Sequence, residues 1–152
     1  MATSTGTPAR IHLKGMGRID ESAQAAGVVR PGQLIQLNVD GDVVPHIIPF
    51  GKAERAFALE DALQGRPIST DYASGDRVTY VLALPGDEVY AWLAFGQSVS
   101  VGDYLASDGA GHLQANAESG LHQTGDSVAV ALETLDNSES DDVNARLKVR
   151  VI

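Results

Sequence analysis

The chain has no cysteine, few aromatic residues and a shortage of basic side chains. The absence of cysteine from 152 residues excludes disulfide bonds, thiolate metal sites and thiol catalysis. Eleven Lys and Arg residues against 20 Asp and Glu residues give a net charge of −9. This charge argues against general nucleic-acid binding, which requires a positive surface. Apolar runs such as residues 43–50 are short and broken by proline, so we expect neither a membrane span nor a secretion signal.

The acidity is distributed unevenly along the chain. Residues 1–30 carry four basic and two acidic side chains, a net charge of +2, which leaves −11 for the remainder. Thr, Ser, Gly and Ala dominate the first stretch, which shows little regular hydrophobic pattern. We therefore expect residues 1–27 to form a flexible, weakly basic arm that becomes ordered on a partner, with a frayed terminus as the alternative. Residues 28–152 are expected to form one acidic domain.

Beyond residue 27, short runs of β-favouring residues alternate with turn sequences. Residues 78–84 and 89–95 are two such runs, and Gly-Asp or Asp-Gly pairs bound most of the others. Frequent turns between short strands are typical of barrels and sandwiches. The sequence therefore predicts an all-β fold, a small β-barrel or β-sandwich of the β-clip or tulip-like kind with an extended N-terminal arm.

Residues 52–64 give a conflicting signal. Their composition favours a helix, and Gly65 stands where a helix would end. An apparent internal repeat, between residues 28–95 and 96–152, aligns Ala-Phe-Ala-Leu-Glu of the first half with Ala-Val-Ala-Leu-Glu of the second. The second copy alternates as a strand does. We therefore predict a strand at residues 55–59 and two related halves.

No motif for catalysis, cofactor binding or metal binding is present. The four histidines show no ligand spacing: His12, His46, His112 and His122. A calcium-type loop from Asn38 would need Glu at its twelfth position, which is Pro49. The acidic stretch 136–142 is predicted to be a solvated loop, with cation binding as the alternative. Ser107 lies in a turn context with no nearby base. We expect a non-enzymatic protein without cofactor or metal.

A series of motifs in the second half resembles a known family. The motifs are Val-Ser-Val-Gly-Asp-Tyr-Leu at 99–105, Ser-Asp-Gly-Ala-Gly-His-Leu at 107–113, Ser-Val-Ala-Val-Ala-Leu-Glu at 127–133 and Arg-Leu-Lys-Val-Arg-Val-Ile at 146–152. Together with residues 56–63, 71–78 and 85–89, they resemble tailed-bacteriophage head decoration proteins, also called capsid cement proteins. The resemblance spans residues 27–152.

The resemblance implies a function in the virion. Such proteins are small, β-rich and usually trimeric or dimeric, and they bind the major capsid protein on the outside of the expanded head. There they reinforce the shell against internal DNA pressure. The resemblance therefore implies a homo-oligomer, with a trimer favoured, that is made in the host cytoplasm and located on the outer capsid surface. Neither nucleic acid nor a membrane is expected as a partner.

Two groups of residues are candidates for contacts with partners. From charge and expected flexibility, the predicted capsid contacts are Arg10, Lys14, Met16, Arg18 and Ile19. The aromatic residues that cluster in one third of the chain are predicted to form core or oligomer interface: Tyr80, Tyr90, Trp92 and Phe95. An oligomer would also cover exposed sheet edges.

Two other functions stay open at this stage. A β-clip module that binds a sugar or small molecule would show an aromatic-lined pocket with convergent polar groups. A trimeric dUTP pyrophosphatase is a more remote alternative, because Thr70-Asp71-Tyr72 resembles part of that family's Asp-x-x-Tyr region. That family also needs an Arg-Ser-Gly loop and a Gly- and Phe-rich C-terminal motif, and this sequence has neither.

Overall fold

The chain folds into an all-β structure around a closed five-stranded barrel. The structure, a computed structural model, describes residues 8–116, 118–119, 122–123, 126–138 and 145–152. Its strands are β1 (His12–Lys14), β2 (Arg18–Gln24), β3 (Ile35–Leu37), β4 (Val43–Pro45), β5 (Ala56–Ala58), β6 (Arg77–Leu82), β7 (Glu88–Leu93), β8 (Ser98–Val99), β9 (Tyr104–Ser107), β10 (Leu113–Ala115), β11 (Glu118–Ser119), β12 (His122–Gln123), β13 (Ser127–Ala131), β14 (Leu135–Asp136) and β15 (Ala145–Val151). The predicted all-β fold with a small barrel is confirmed.

The barrel closes because its last strand returns to its first. Strands β7, β10, β9, β13 and β15 are hydrogen-bonded in that order, and β15 also pairs with β7. The β7–β15 ladder is antiparallel and runs from Ala145↔Leu93 to Arg150↔Glu88. Closure satisfies the backbone groups that an open sheet would leave at its edges. The barrel therefore forms a rigid support for the turns at its ends.

Besides the barrel there are four smaller sheets, and two of them, β2–β6–β5 and β3–β4, bury a second hydrophobic cluster. Strands β2, β6 and β5 form one sheet, and β3–β4, β8–β14 and β11–β12 are two-stranded pairs. In β7, Val89, Ala91 and Leu93 are buried while the alternate residues are only partly covered, as expected of a strand that lines a barrel. Val78 and Tyr72 belong instead to a second cluster, built mainly on the small sheets.

The predicted strand at residues 55–59 is confirmed by β5, and the helix that composition alone suggested over residues 52–64 is absent. Phe57 of β5 is fully buried and pairs with Val81 of β6. Helix propensity is a weak preference, and burial of three consecutive residues between neighbouring elements outweighs it here. The end of this range forms a single 3₁₀ turn at Ala62–Gln64, which ends at Gly65 with a φ of +69°.

The expectation of a flexible arm over residues 1–27 is corrected for its described part. Strand β1 pairs with β7 and strand β2 pairs with β6, so this segment is built into two sheets. Ile11 is fully buried in the barrel core. The sequence conceals these strands because register shifts interrupt both ladders and break the regular alternation. Residues 1–7 lie outside the described residues.

The related halves stay a prediction. Ala56–Ala58 and Ser127–Ala131 are both strands, but the first belongs to the sheet of β2 and β6 and the second to the barrel. Over the residues that the structure describes, no helix is long and apolar enough to cross a membrane.

Candidate functional site

Three of the five predicted contact residues lie close to a buried carboxylate. Asp87, in the turn before β7, is 3% exposed. Its carboxylate accepts hydrogen bonds from the backbone N–H groups of Met16 at 3.2 Å, Gly17 at 2.9 Å and Leu84 at 3.2 Å. His12 Nε2 lies 3.4 Å from the same carboxylate. Because one carboxylate binds N–H groups of both turns, it fixes the turn after β1 against the turn before β7.

Two glycines make this contact possible. Gly15 has a φ of +121°, and a Cβ atom at this position would lie 1.9 Å from Asp87 Oδ1. A Cβ atom at Gly17 would lie 2.5 Å from Asp87 Oδ2. The segment Gly15-Met16-Gly17 is therefore a backbone cradle for a carboxylate, in which glycine is needed both for conformation and for close approach.

The two turns held by Asp87 carry two exposed apolar residues, and three cations lie on the strands next to them. Met16 is 87% exposed and Leu84 is 50% exposed. Lys14 of β1 and Arg150 of β15 both lie opposite Glu88 of β7, and Arg18 of β2 lies opposite Leu82 of β6. We refer to the five exposed residues as the cationic knob: Lys14, Met16, Arg18, Leu84 and Arg150.

The outermost charge of the knob is positive although its cations have acidic neighbours. Lys14 Nζ lies 3.8 Å from Glu88 Oε2, and the side chains are 74% and 24% exposed, respectively. Arg18 Nη2 lies 3.4 Å from Asp20 Oδ2, and these side chains are 76% and 18% exposed. Hydrogen bonds from the Ser22 hydroxyl and amide lower the pKa of Asp20. The acids are thus less exposed than the cations, which project further into solvent.

Arg10 and Ile19, the other two predicted contacts, line a cleft instead. The cleft has a volume of about 430 Å³ and lies beside the knob. Its remaining lining residues are His12, Glu21, Leu59, Glu60, Ala62, Leu63 and Thr79. The backbone N–H of Ile11 donates to Glu60 Oε1 at 3.2 Å, which holds one wall of the cleft to β1. The structure therefore places three of the predicted contacts on the knob and two in the cleft.

The knob also contains two residues that sequence reasoning missed. Leu84 follows β6, and Arg150 lies near the end of the chain, more than 60 residues later. The alternation of Leu147 to Val151 gives a signal that Arg150 faces outward, because its neighbours Val149 and Val151 are fully buried. Only the β7–β15 register places Arg150 beside Glu88, on the opposite side of β7 from Lys14.

The four aromatic residues do not form one cluster. Tyr80 is 6% exposed and belongs to the second hydrophobic cluster, whereas Tyr90 packs against the barrel core. Trp92 Nε1 donates to the Pro31 carbonyl at 2.9 Å. Burial raises the pKa of Tyr80 and of Tyr90. Phe95 is 51% exposed in the turn after β7, so the group divides into three packed residues and one surface residue.

The expectation that Ser107 has no nearby base is wrong. Its Oγ lies 2.6 Å from Nδ1 of His46, whose Nε2 lies 3.1 Å from the Lys52 carbonyl. A carbonyl only accepts, so Nε2 carries a proton, and in the neutral imidazole Nδ1 then accepts from the Ser107 hydroxyl. Ser107 Oγ in turn accepts from the Gly109 N–H at 3.1 Å. Ser107 is fully buried and His46 is 2% exposed, so the pair ties β9 to the loop after β4 rather than meeting a substrate from solvent.

The other polar candidates have local partners. His112 Nδ1 lies 3.1 Å from Asp108 Oδ2. Asn38 Oδ1 accepts from the backbone N–H groups of Asp40 and Asp42, which is the geometry of a turn. The Tyr72 hydroxyl donates to the Leu59 carbonyl at 2.7 Å.

Metal-binding candidates are sparse in the described part of the chain. Within it, no group of three or more His, Asp or Glu side chains could hold a metal ion. The side chain of His122 and the residues 139–142 of the acidic stretch lie outside the described residues. The alternative of a bound cation at 136–142 therefore stays a prediction.

Comparison with known proteins gives no family for the chain. No family model matches it. No curated protein matches it either. The geometry and chemistry of the site are therefore the basis for a functional proposal.

Proposed function

We propose that the chain is a capsid decoration protein that binds the outer surface of a phage head and stabilises the expanded shell against internal DNA pressure. The observation that carries the proposal is the cationic knob, an exposed apolar centre held by a buried carboxylate. Three of its five residues are ones that the sequence analysis selected as contacts. The partner is the major capsid protein, and the protein acts in the virion as a homo-oligomer without enzymatic activity.

The geometry of the knob favours a protein partner. Contact residues contribute most when their conformation is fixed before binding, because less entropy is then lost. Asp87 fixes both turns of the knob from beneath, and the adjacent barrel strands β7 and β15 support them. An exposed apolar centre with a charged rim is also the usual arrangement of a protein interface.

The alternatives receive less support. The volume of the cleft suits a small molecule, but none of its lining residues is Phe, Tyr or Trp, so it lacks the feature expected of a β-clip sugar site. The Asp71-Tyr72 pair that resembles dUTP pyrophosphatases has a packing role, because Tyr72 is 1% exposed and bonded to a backbone carbonyl.

Co-sedimentation with empty expanded heads of the phage that encodes the chain tests the proposal. We expect Met16→Asp and Leu84→Asp each to lower head occupancy by at least about tenfold, because a buried carboxylate would replace an apolar anchor. Heads that carry the wild-type protein should resist heat better than bare heads.

A matched control is Val101→Asp, because Val101 is 62% exposed and lies in the β8–β9 turn, outside the five residues of the knob. Deletion of residues 1–19 is a poorer test, since it removes Ile11 from the barrel core. Wild-type protein that does not bind heads, or knob variants that bind as well as wild type, would contradict the proposal.

A further inference from the structure

The charge of the knob is opposite to that of the chain. We infer that the knob recognises an acidic patch on the shell, with a recess that accepts Met16 and Leu84. The inference rests on the proposed function and adds the chemistry of the partner surface. It also assigns a binding role to Arg150, a residue of the last strand.

Local charge decides this interaction, although the chain as a whole carries −9. At physiological salt, exposed charges farther apart than about 8 Å are largely screened from each other. At the knob lie the three cations Lys14, Arg18 and Arg150 and the two acids Asp20 and Glu88, a net charge of 3 − 2 = +1. The side chains of Lys14 and Arg18 are 74% and 76% exposed, whereas those of Glu88 and Asp20 are 24% and 18% exposed, so a surface that meets the knob contacts mainly positive groups. An acidic partner surface is the complement of that pattern.

Arg150 is the cation most available to a partner. Lys14 and Arg18 each have a carboxylate within 4.0 Å, whereas Arg150 has none among the residues that the structure describes. It is exposed on the outer face of β15, next to the clamped turns. The guanidinium group can bind a carboxylate with two parallel hydrogen bonds, so Arg150 would give orientation as well as attraction.

Charge reversal tests the inference. The variants are Lys14→Glu and Arg150→Glu, with Lys52→Glu as the matched control, because Lys52 is an exposed lysine in the loop between β4 and β5. Circular dichroism checks that each variant is folded, and Arg150→Gln provides a milder change. We expect each knob reversal to weaken head binding by at least about tenfold and the control to bind as wild type does.

Two further measurements test whether the knob binds a negatively charged surface. Wild-type binding to heads should weaken between about 50 and about 300 mM salt, and the binding of Arg150→Glu should weaken less. On beads that carry sulfonate groups, wild type and Lys52→Glu should be retained more strongly than Arg150→Glu.

Failure of the inference is distinguishable from failure of the proposed function. Head binding that is lost in Met16→Asp but insensitive to salt and to charge reversal would overturn the acidic partner and leave the decoration function intact. Sedimentation velocity of the protein alone tests whether the knob binds a second copy of the chain. Self-association that disappears only in the knob variants would assign the knob to a second copy and overturn the inference.

Discussion

At the scale of single residues, the buried Ser107 and His46 have all their hydrogen-bonding groups satisfied. His46 Nε2 contacts the Lys52 carbonyl and His46 Nδ1 contacts Ser107 Oγ, which also accepts from the Gly109 N–H. Gly109 also packs against Pro49, where a Cβ atom would come within 2.6 Å of the proline ring. The pair therefore fixes the loop of residues 46–51, of which residues 47–49 are exposed, on the β9–β10 hairpin.

We expect Ser107→Ala to destabilise the protein by about 1–3 kcal/mol, because it leaves the buried Nδ1 of His46 without a donor. Urea unfolding followed by circular dichroism measures the change in the free energy of unfolding. The control is Ser100→Ala, because Ser100 is exposed and should change stability by no more than about 0.5 kcal/mol. Equal effects of the two substitutions would contradict a structural role for the pair.

At the scale of elements, the two turns held by Asp87 act as one unit. The carboxylate replaces the hydrogen bonds to water that the exposed ends of β1 and β6 would otherwise make. Arg77 is a second charged side chain that binds backbone groups of a neighbouring strand, since its guanidinium group donates to the Glu21 and Ser22 carbonyls of β2. Together with the register shift in β2, this contact makes that edge strand a poor template for pairing with other chains.

Gly15→Ala tests the two-turn unit, and Gly86→Ala is its matched control. Both glycines have a positive φ, +121° and +97°, but only Gly15 faces an atom within 4 Å. Gly86→Ala should therefore lower the free energy of unfolding only by the cost of placing alanine at a positive φ, about 1–3 kcal/mol. We expect Gly15→Ala to lower the free energy of unfolding further, because the methyl group displaces the Asp87 carboxylate. Equal losses of stability would show that the contact with Asp87 contributes little.

At the scale of the whole molecule, Arg146 joins the barrel to the segments around it. Its guanidinium group lies 4.2 Å from the centre of the Trp92 ring and donates to the carbonyls of Pro31 and Ile68. Burial lowers the pKa of Arg146, and the nearby Tyr90 and Asp71 oppose this shift. A single side chain thus links β15 and β7 to two loops that belong to the smaller sheets.

We expect Arg146→Lys to destabilise the protein by about 1.5–3 kcal/mol, because lysine cannot donate to both carbonyls while it stacks on the indole ring. Trp92 is the only tryptophan, so its fluorescence during urea unfolding reports directly on this junction. The control is Arg150→Lys, which retains the charge in the same strand and should change stability little. If the two substitutions have the same effect, the geometry of the guanidinium group is not what holds the junction.

The sequence by itself determined the all-β class, the strand near Phe57 and the selection of Lys14, Met16 and Arg18 as surface residues. These features follow from alternation, turn residues and local charge, which act over a few residues. Tertiary structure alone decided that the predicted arm forms β1 and β2, that Asp87 clamps two turns, that His46 meets Ser107 and that Arg150 joins the knob. Each of these depends on how strands pair between segments more than 50 residues apart, and that pairing is set by the burial of whole sheets rather than by any local pattern.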